Sequence, residues 1–181
     1  FGDRAEGIVA VAPTPRAALA DLPALQADPL VAVLSHVEKP GNIGAVLRTA
    51  DAAGISAVIV ADPRTDLFNP NAIRASLGTI FSVPLASASS SEALDWLREK
   101  NCRIFTTRVD AEIAYSDADY RGPAAIVLGS EAQGLSEEWS GANVVPVRVP
   151  MLGMADSLNV SATAAVLFYE ALRQRSPQLP T

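Results

Sequence analysis

Short polar side chains crowd the mouth of an otherwise apolar helical pattern in the run Val147-Arg148-Val149-Pro150-Met151-Leu152-Gly153-Met154-Ala155-Asp156-Ser157-Leu158-Asn159-Val160-Ser161. Ser, Asp and Asn accept hydrogen bonds from orphan backbone N–H groups at helix starts, so a single one here would be ordinary capping. Asp156, Ser157, Asn159 and Ser161 together exceed that need, and the surplus implies a bound partner. Two further loops carry related chemistry. The apolar run 30–34 leads into Lys39-Pro40-Gly41-Asn42-Ile43-Gly44-Ala45-Val46-Leu47-Arg48-Thr49-Ala50, and the run 124–128 leads into Gly129-Ser130-Glu131-Ala132-Gln133-Gly134-Leu135-Ser136. In each, a strand-like segment ends in small and polar residues, which let backbone approach a ligand at the carboxyl end of a strand. Neither nucleotide fingerprint is present: Gly41 to Gly44 is only G-x-x-G, and no Gly-Lys-Ser/Thr occurs.

In chain order these segments read N-x-G-x-x-x-R-T-A, L-G-S-E-x-x-G-L and P-M-x-G-x-x-x-S-L-N-V-S. The set resembles the three motifs of the SpoU/TrmH family of RNA ribose 2′-O-methyltransferases, in the SPOUT superfamily, across residues 30–175. The resemblance implies S-adenosyl-L-methionine as cofactor, no metal, and a homodimer acting on structured RNA, ribosomal RNA in preference to transfer RNA. It assigns the cofactor to Gly129, Val149 and Leu158, with Leu128, Pro150 and Met151 as neighbours. It places Arg48 in the active site; a guanidinium is too weak an acid to yield a free base, so orienting a ribose or phosphate and balancing charge is its expected role. Asn42, Ser157 and Asn159 are expected to hold the hydroxyl and its surroundings. Glu131 shapes its loop first and accepts a proton second; an alternative is favourable interaction with the dipole of a helical turn at 136–141. The resemblance also implies a deep trefoil knot at the carboxyl end. Two rival functions are a non-catalytic knotted RNA-binding or assembly module and a methyltransferase acting on a ring nitrogen. The intact polar set counts against the first, and the S-L-N-V-S helix start separates the ribose branch from the second.

The elements that must position these loops alternate between β-branched and helical patterns. Strands are expected at 7–12, 30–34, 57–61, 82–86, 103–108, 125–129 and 144–149, and helices at 42–53, 70–77, 91–100 and 157–174. Such alternation specifies an α/β domain with a mainly parallel sheet flanked by helices. Its expected extent is 29–176, with 1–28 a linker leading from an amino-terminal RNA-binding domain and 177–181 a tail. The 181 residues suit one domain of ordinary size, and a hydrophobic fraction of 49% is ample for its core. No apolar stretch reaches the roughly 18 residues of a membrane span, and the single Cys102 cannot make an internal disulfide, so a soluble, cytoplasmic protein is expected. One His and one Cys cannot make a Cys/His metal cluster, and Cys102 and His36 are expected to be a structural thiol and a loop residue. The net charge of −6 runs against nucleic-acid binding. It is compatible with RNA if the basic residues near the motifs, Lys39, Arg48, Arg64, Arg74 and Arg148, act locally, or if affinity also lies elsewhere.

Overall fold

A computed structural model describes residues 11–130 and 134–176. Among these residues seven parallel strands form one sheet: β1 (Leu30–Ser35), β2 (Ala57–Ala61), β3 (Leu85–Ala88), β4 (Arg103–Thr107), β5 (Ile113–Ala114), β6 (Ala124–Leu128) and β7 (Val144–Arg148). Their spatial order is β3-β2-β1-β6-β4-β7-β5. The centre reads as unbroken apolar runs because both faces are covered. In β1, Leu30, Ala32 and Leu34 enter one core layer, while Val31 and Val33 enter the other.

Among the described residues four α-helices supply the covers: α1 (Pro40–Ala52), α2 (Pro70–Ser76), α3 (Ser90–Glu99) and α4 (Val160–Arg175). The first core layer receives α1, α2 and α4, through Ile43, Leu47, Ala72, Leu167 and Phe168 among others. The second receives α3 through Ala93, Leu94 and Leu97, together with Trp139. Helix starts follow local chemistry. Pro40 and Pro70 open α1 and α2, where a missing N–H costs nothing. Ser89 caps α3 in a reciprocal box with Glu92, whose carboxyl is held below its usual range by those hydrogen bonds.

Two expectations need correction, and a third falls largely outside the described residues. The segment 136–141 is a turn rather than a helical turn, closed by the Trp139 N–H donating to the Ser136 carbonyl at 3.2 Å, so the dipole offered as an alternative for Glu131 has no helix behind it. The last helix begins at Val160 instead of 157, leaving Ser157 and Leu158 in the loop before it. The strand expected at 7–12 falls largely outside the described residues, and 11–12 carry no regular structure. Residues 17–25, within the stretch expected as a linker or a lid on the domain, lie against the sheet: Ala17 accepts from the Ser87 N–H at 2.7 Å along the β3 edge, and Leu19, Leu22 and Leu25 pack on the second core layer. At the other end Arg175 donates to the carbonyls of Asp28, Pro29, Tyr120 and Gly122, fastening the end of α4 to the approach to β1.

Candidate active site

Three strands, β4, β6 and β7, end side by side, and the loops beyond their carboxyl ends enclose a cleft of about 570 Å³. Leu128, Gly129 and Ser130 supply the floor from β6, Val147 and Val149 one wall from β7, and Met151, Ser157, Leu158 and Val160 the approach to α4. That position is where a parallel sheet opens to ligands. Gly129 is required by space: a Cβ would lie 2.5 Å from the Gly134 carbonyl carbon and 2.9 Å from the Leu135 nitrogen. The crossing backbone is tied by mutual Ser130 and Gly134 hydrogen bonds of 3.1 and 3.2 Å.

A second hollow of about 420 Å³ lies between α1, α2 and α4, lined by Arg48, Thr49, Ala75, Ser161, Ala165 and Tyr169 among others. The first turn of α4 separates the two spaces. Val160 and Thr163 face the cleft, whereas Ser161 and Ala162 face the hollow. Asn159 caps this turn, its Oδ1 accepting from the Ser161 N–H at 2.9 Å and the Ser161 hydroxyl at 2.6 Å. Part of the polar surplus read from the sequence is therefore capping. The Asn159 Nδ2 also donates to the Asn42 Oδ1 at 3.5 Å, a long bond that nonetheless joins the first motif to the third.

Most expected residues come together. Asn42 and Asn159 meet at the dividing turn, Arg48 stands exposed in the hollow, and Ser157, Leu128, Gly129, Val149, Met151 and Leu158 line the cleft. Pro150 does not: it is exposed between Val149 and Met151 and is not part of the lining. Glu131 lies outside the described residues. The sequence reading missed Thr107, Arg108, Val109 and Asp110, which close the cleft beyond β4. The same rule about strand ends, applied to the run that begins at Cys102, would have found them.

Cys102 is buried, and burial pushes its thiol up to about 11, opposite to the depressed value of a nucleophilic cysteine. His36 follows β1 with a left-handed φ of 56°, its Nδ1 3.0 Å from the Ser35 hydroxyl and its Nε2 3.7 Å from Asp62. It is absent from the cleft lining. Among the described residues no group of three or more His, Cys, Asp or Glu is placed to hold a metal, and no helix is long and apolar enough to cross a membrane.

Residues 29–169 match the model of the SpoU rRNA Methylase family. The 23S rRNA (uridine(2479)-2′-O)-methyltransferase of Streptomyces viridochromogenes is 33% identical over 93% of this chain, and the 23S rRNA (guanosine-2′-O-)-methyltransferase RlmB of Ralstonia nicotianae is 35% identical over 96%. The chain spans 60% of the length of the first and 72% of the second. Among solved structures, an RNA 2′-O ribose methyltransferase aligns with a TM-score of 0.80 at 47% identity, covering 88% of this chain and 61% of that one. The Streptomyces viridochromogenes SpoU methyltransferase AviRb in complex with AdoMet aligns with a TM-score of 0.82 at 32% identity, covering 88% and 62%.

Proposed function

The chain belongs to the SpoU rRNA methylase family, and from that premise we propose that it transfers the methyl group of S-adenosyl-L-methionine to the 2′-hydroxyl of a ribose in structured RNA, ribosomal in preference to transfer RNA. The observation that carries this reading is the dividing turn of α4, with a ligand-sized cleft on one side and an arginine-bearing hollow on the other. The cleft lies within the roughly 300–1,000 Å³ of small-molecule sites. Its Leu128, Val149 and Leu158 surfaces suit a purine and its sugar, the backbone beside Gly129 and Ser130 suits their polar edges, and charged side chains suit a zwitterionic amino acid.

When bound, the cofactor supplies a methyl group on a positively charged sulfur that leaves as a neutral thioether. Attack on such a carbon depends on in-line placement more than on a strong base, and placement alone supplies several kcal/mol. Asn42 and Asn159 steady the junction between cleft and hollow, Ser157 faces the cofactor side, and Arg48 holds a ribose or phosphate from the hollow. Glu131 shapes the 129–134 loop first and takes the hydroxyl proton second.

The same reading includes a deep trefoil knot, supported by Gly129, Ser130 and Gly134 meeting Val149, Met151, Ser157 and Leu158 on one cleft and by β6 lying between β1 and β4. The catalytic domain is placed at 29–176, and the setting is the cytoplasm. A homodimer is supported by the small-residue face of α1 and α4, where Ala45, Ala52, Ala162 and Ala165 leave Tyr169 half exposed. Surplus apolar area on α4 is a weaker argument, because Val160, Leu167 and Phe168 are already buried within the chain. Mapping ribose 2′-O-methyl groups in RNA from cells with and without the gene tests the function: loss of a methyl group at an rRNA nucleotide is expected, and an unchanged map overturns it.

A further inference from the structure

Two arginines line the cleft, and they differ in setting: Arg148 is exposed, whereas Arg108 is half-buried. Arg108 follows β4 directly, and its backbone N–H donates to the Val147 carbonyl at 2.9 Å, which fixes its Cα against β7. Its Nη2 donates to the carbonyls of Ser136 at 3.3 Å and Trp139 at 3.4 Å. Those acceptors are themselves anchored, since Trp139 is buried and its indole N–H donates to the buried Ser35 hydroxyl at 3.1 Å. The guanidinium is thus aimed by backbone that has little freedom to move.

Both acceptors are neutral. They orient the charge without cancelling it, and among the described residues no carboxylate forms an ion pair with Arg108. A guanidinium carries five N–H donors, and the two carbonyls engage a single nitrogen of it. What remains is an uncancelled charge with the Nε and Nη1 donors held in a fixed plane, on the wall of a mixed polar and apolar cleft that Asp110 and Asp156 also line, and such donors suit a carboxylate.

We propose that Arg108 is the contact for the α-carboxylate of the cofactor's methionine moiety. The inference rests on the cofactor reading above. A hydrogen bond between charged groups in such a setting is worth at least about tenfold in affinity.

The test compares S-adenosylmethionine with decarboxylated S-adenosylmethionine, which keeps the sulfonium and the amine and lacks only this carboxylate. Calorimetry on the wild-type chain is expected to show a preference of about tenfold or more for the carboxylated ligand. In Arg108→Met the two ligands are expected to bind alike, the decarboxylated one within about threefold of its wild-type affinity; Arg108→Lys retains part of the preference. A wild-type ratio near one, or a ratio that survives in Arg108→Met because both ligands weaken equally, overturns the proposal and leaves Arg108 a clamp on its loop. Should near-ultraviolet circular dichroism show Arg108→Met unfolded, the wild-type and Arg108→Lys ratios decide alone, and a ratio near one in the wild type overturns it. Failure of the wild type to bind S-adenosylmethionine at all sinks the cofactor reading, a result distinct from binding without discrimination.

Discussion

Arg48 is exposed on α1 and faces the hollow, away from the cleft. Separation of the two spaces makes a sharp prediction: Arg48→Ala abolishes methyl transfer to RNA while S-adenosylmethionine affinity, read by calorimetry, stays within about twofold. Arg48→Lys restores only part of the turnover, because a point charge cannot reproduce a planar fork on phosphate. Near-wild-type turnover in Arg48→Ala would move the catalytic burden to Glu131 or Ser157. Cys102 gives a second residue-scale prediction. Burial holds its thiol up at about 11, against 9.0 for an exposed one. Between those values the unfolded chain has released a proton that the native chain retains, so the slope of stability with pH is negative, at most about 1.4 kcal/mol per pH unit. The contribution is complete below pH 9.0 and disappears as pH rises toward about 11. Urea titrations across that window should show the fall, and Cys102→Ala should flatten it.

Between α1 and α2 the fit is set by Gly44. A Cβ there would sit 2.8 Å from the Ala75 Cβ and 2.9 Å from the Ser76 nitrogen, and nearer still to the Ala72 carbonyl. Backbone cannot yield as a flexible side chain does, so Gly44→Ala is expected to cost about 1–3 kcal/mol in urea unfolding. It should also weaken catalysis, since it shifts the helix that carries Asn42 and Arg48. In sequence this glycine is visible only as a motif letter; its reason is a helix-helix contact. The strands were legible because buried parallel strands are written as runs such as Ala57-Val58-Ile59-Val60-Ala61. The turn at 137–138 was not, since two glutamates and a tryptophan read as helical there, while a buried Trp139 held by Ser35 decides the conformation. Thr107 to Asp110 carry no motif, so only the strand-end rule applied to β4 points to them; that β4 lies between β6 and β7, and so shares their cleft, is a long-range property.

At the scale of the molecule, the face formed by α1 and α4 predicts the assembly. Sedimentation equilibrium should give about twice the chain mass, and Ala165→Arg, which puts a long charged side chain into the small-residue hollow, should shift the chain toward monomer. A strict monomer at high micromolar concentration would refute the dimer.

The sheet order sets a hazard during synthesis. β1 is buried along its whole length and pairs on one side with β2, which emerges soon after it, and on the other with β6, which cannot arrive until residues 36–123 have been made. At roughly 5–20 residues per second, the nascent chain carries an unpaired, apolar strand edge for several seconds, the kind of edge that recruits other strands. Ribosome-stalled chains ending before Ala124 should therefore bind holding chaperones, and chains extended past Leu128 and clear of the exit tunnel should release them.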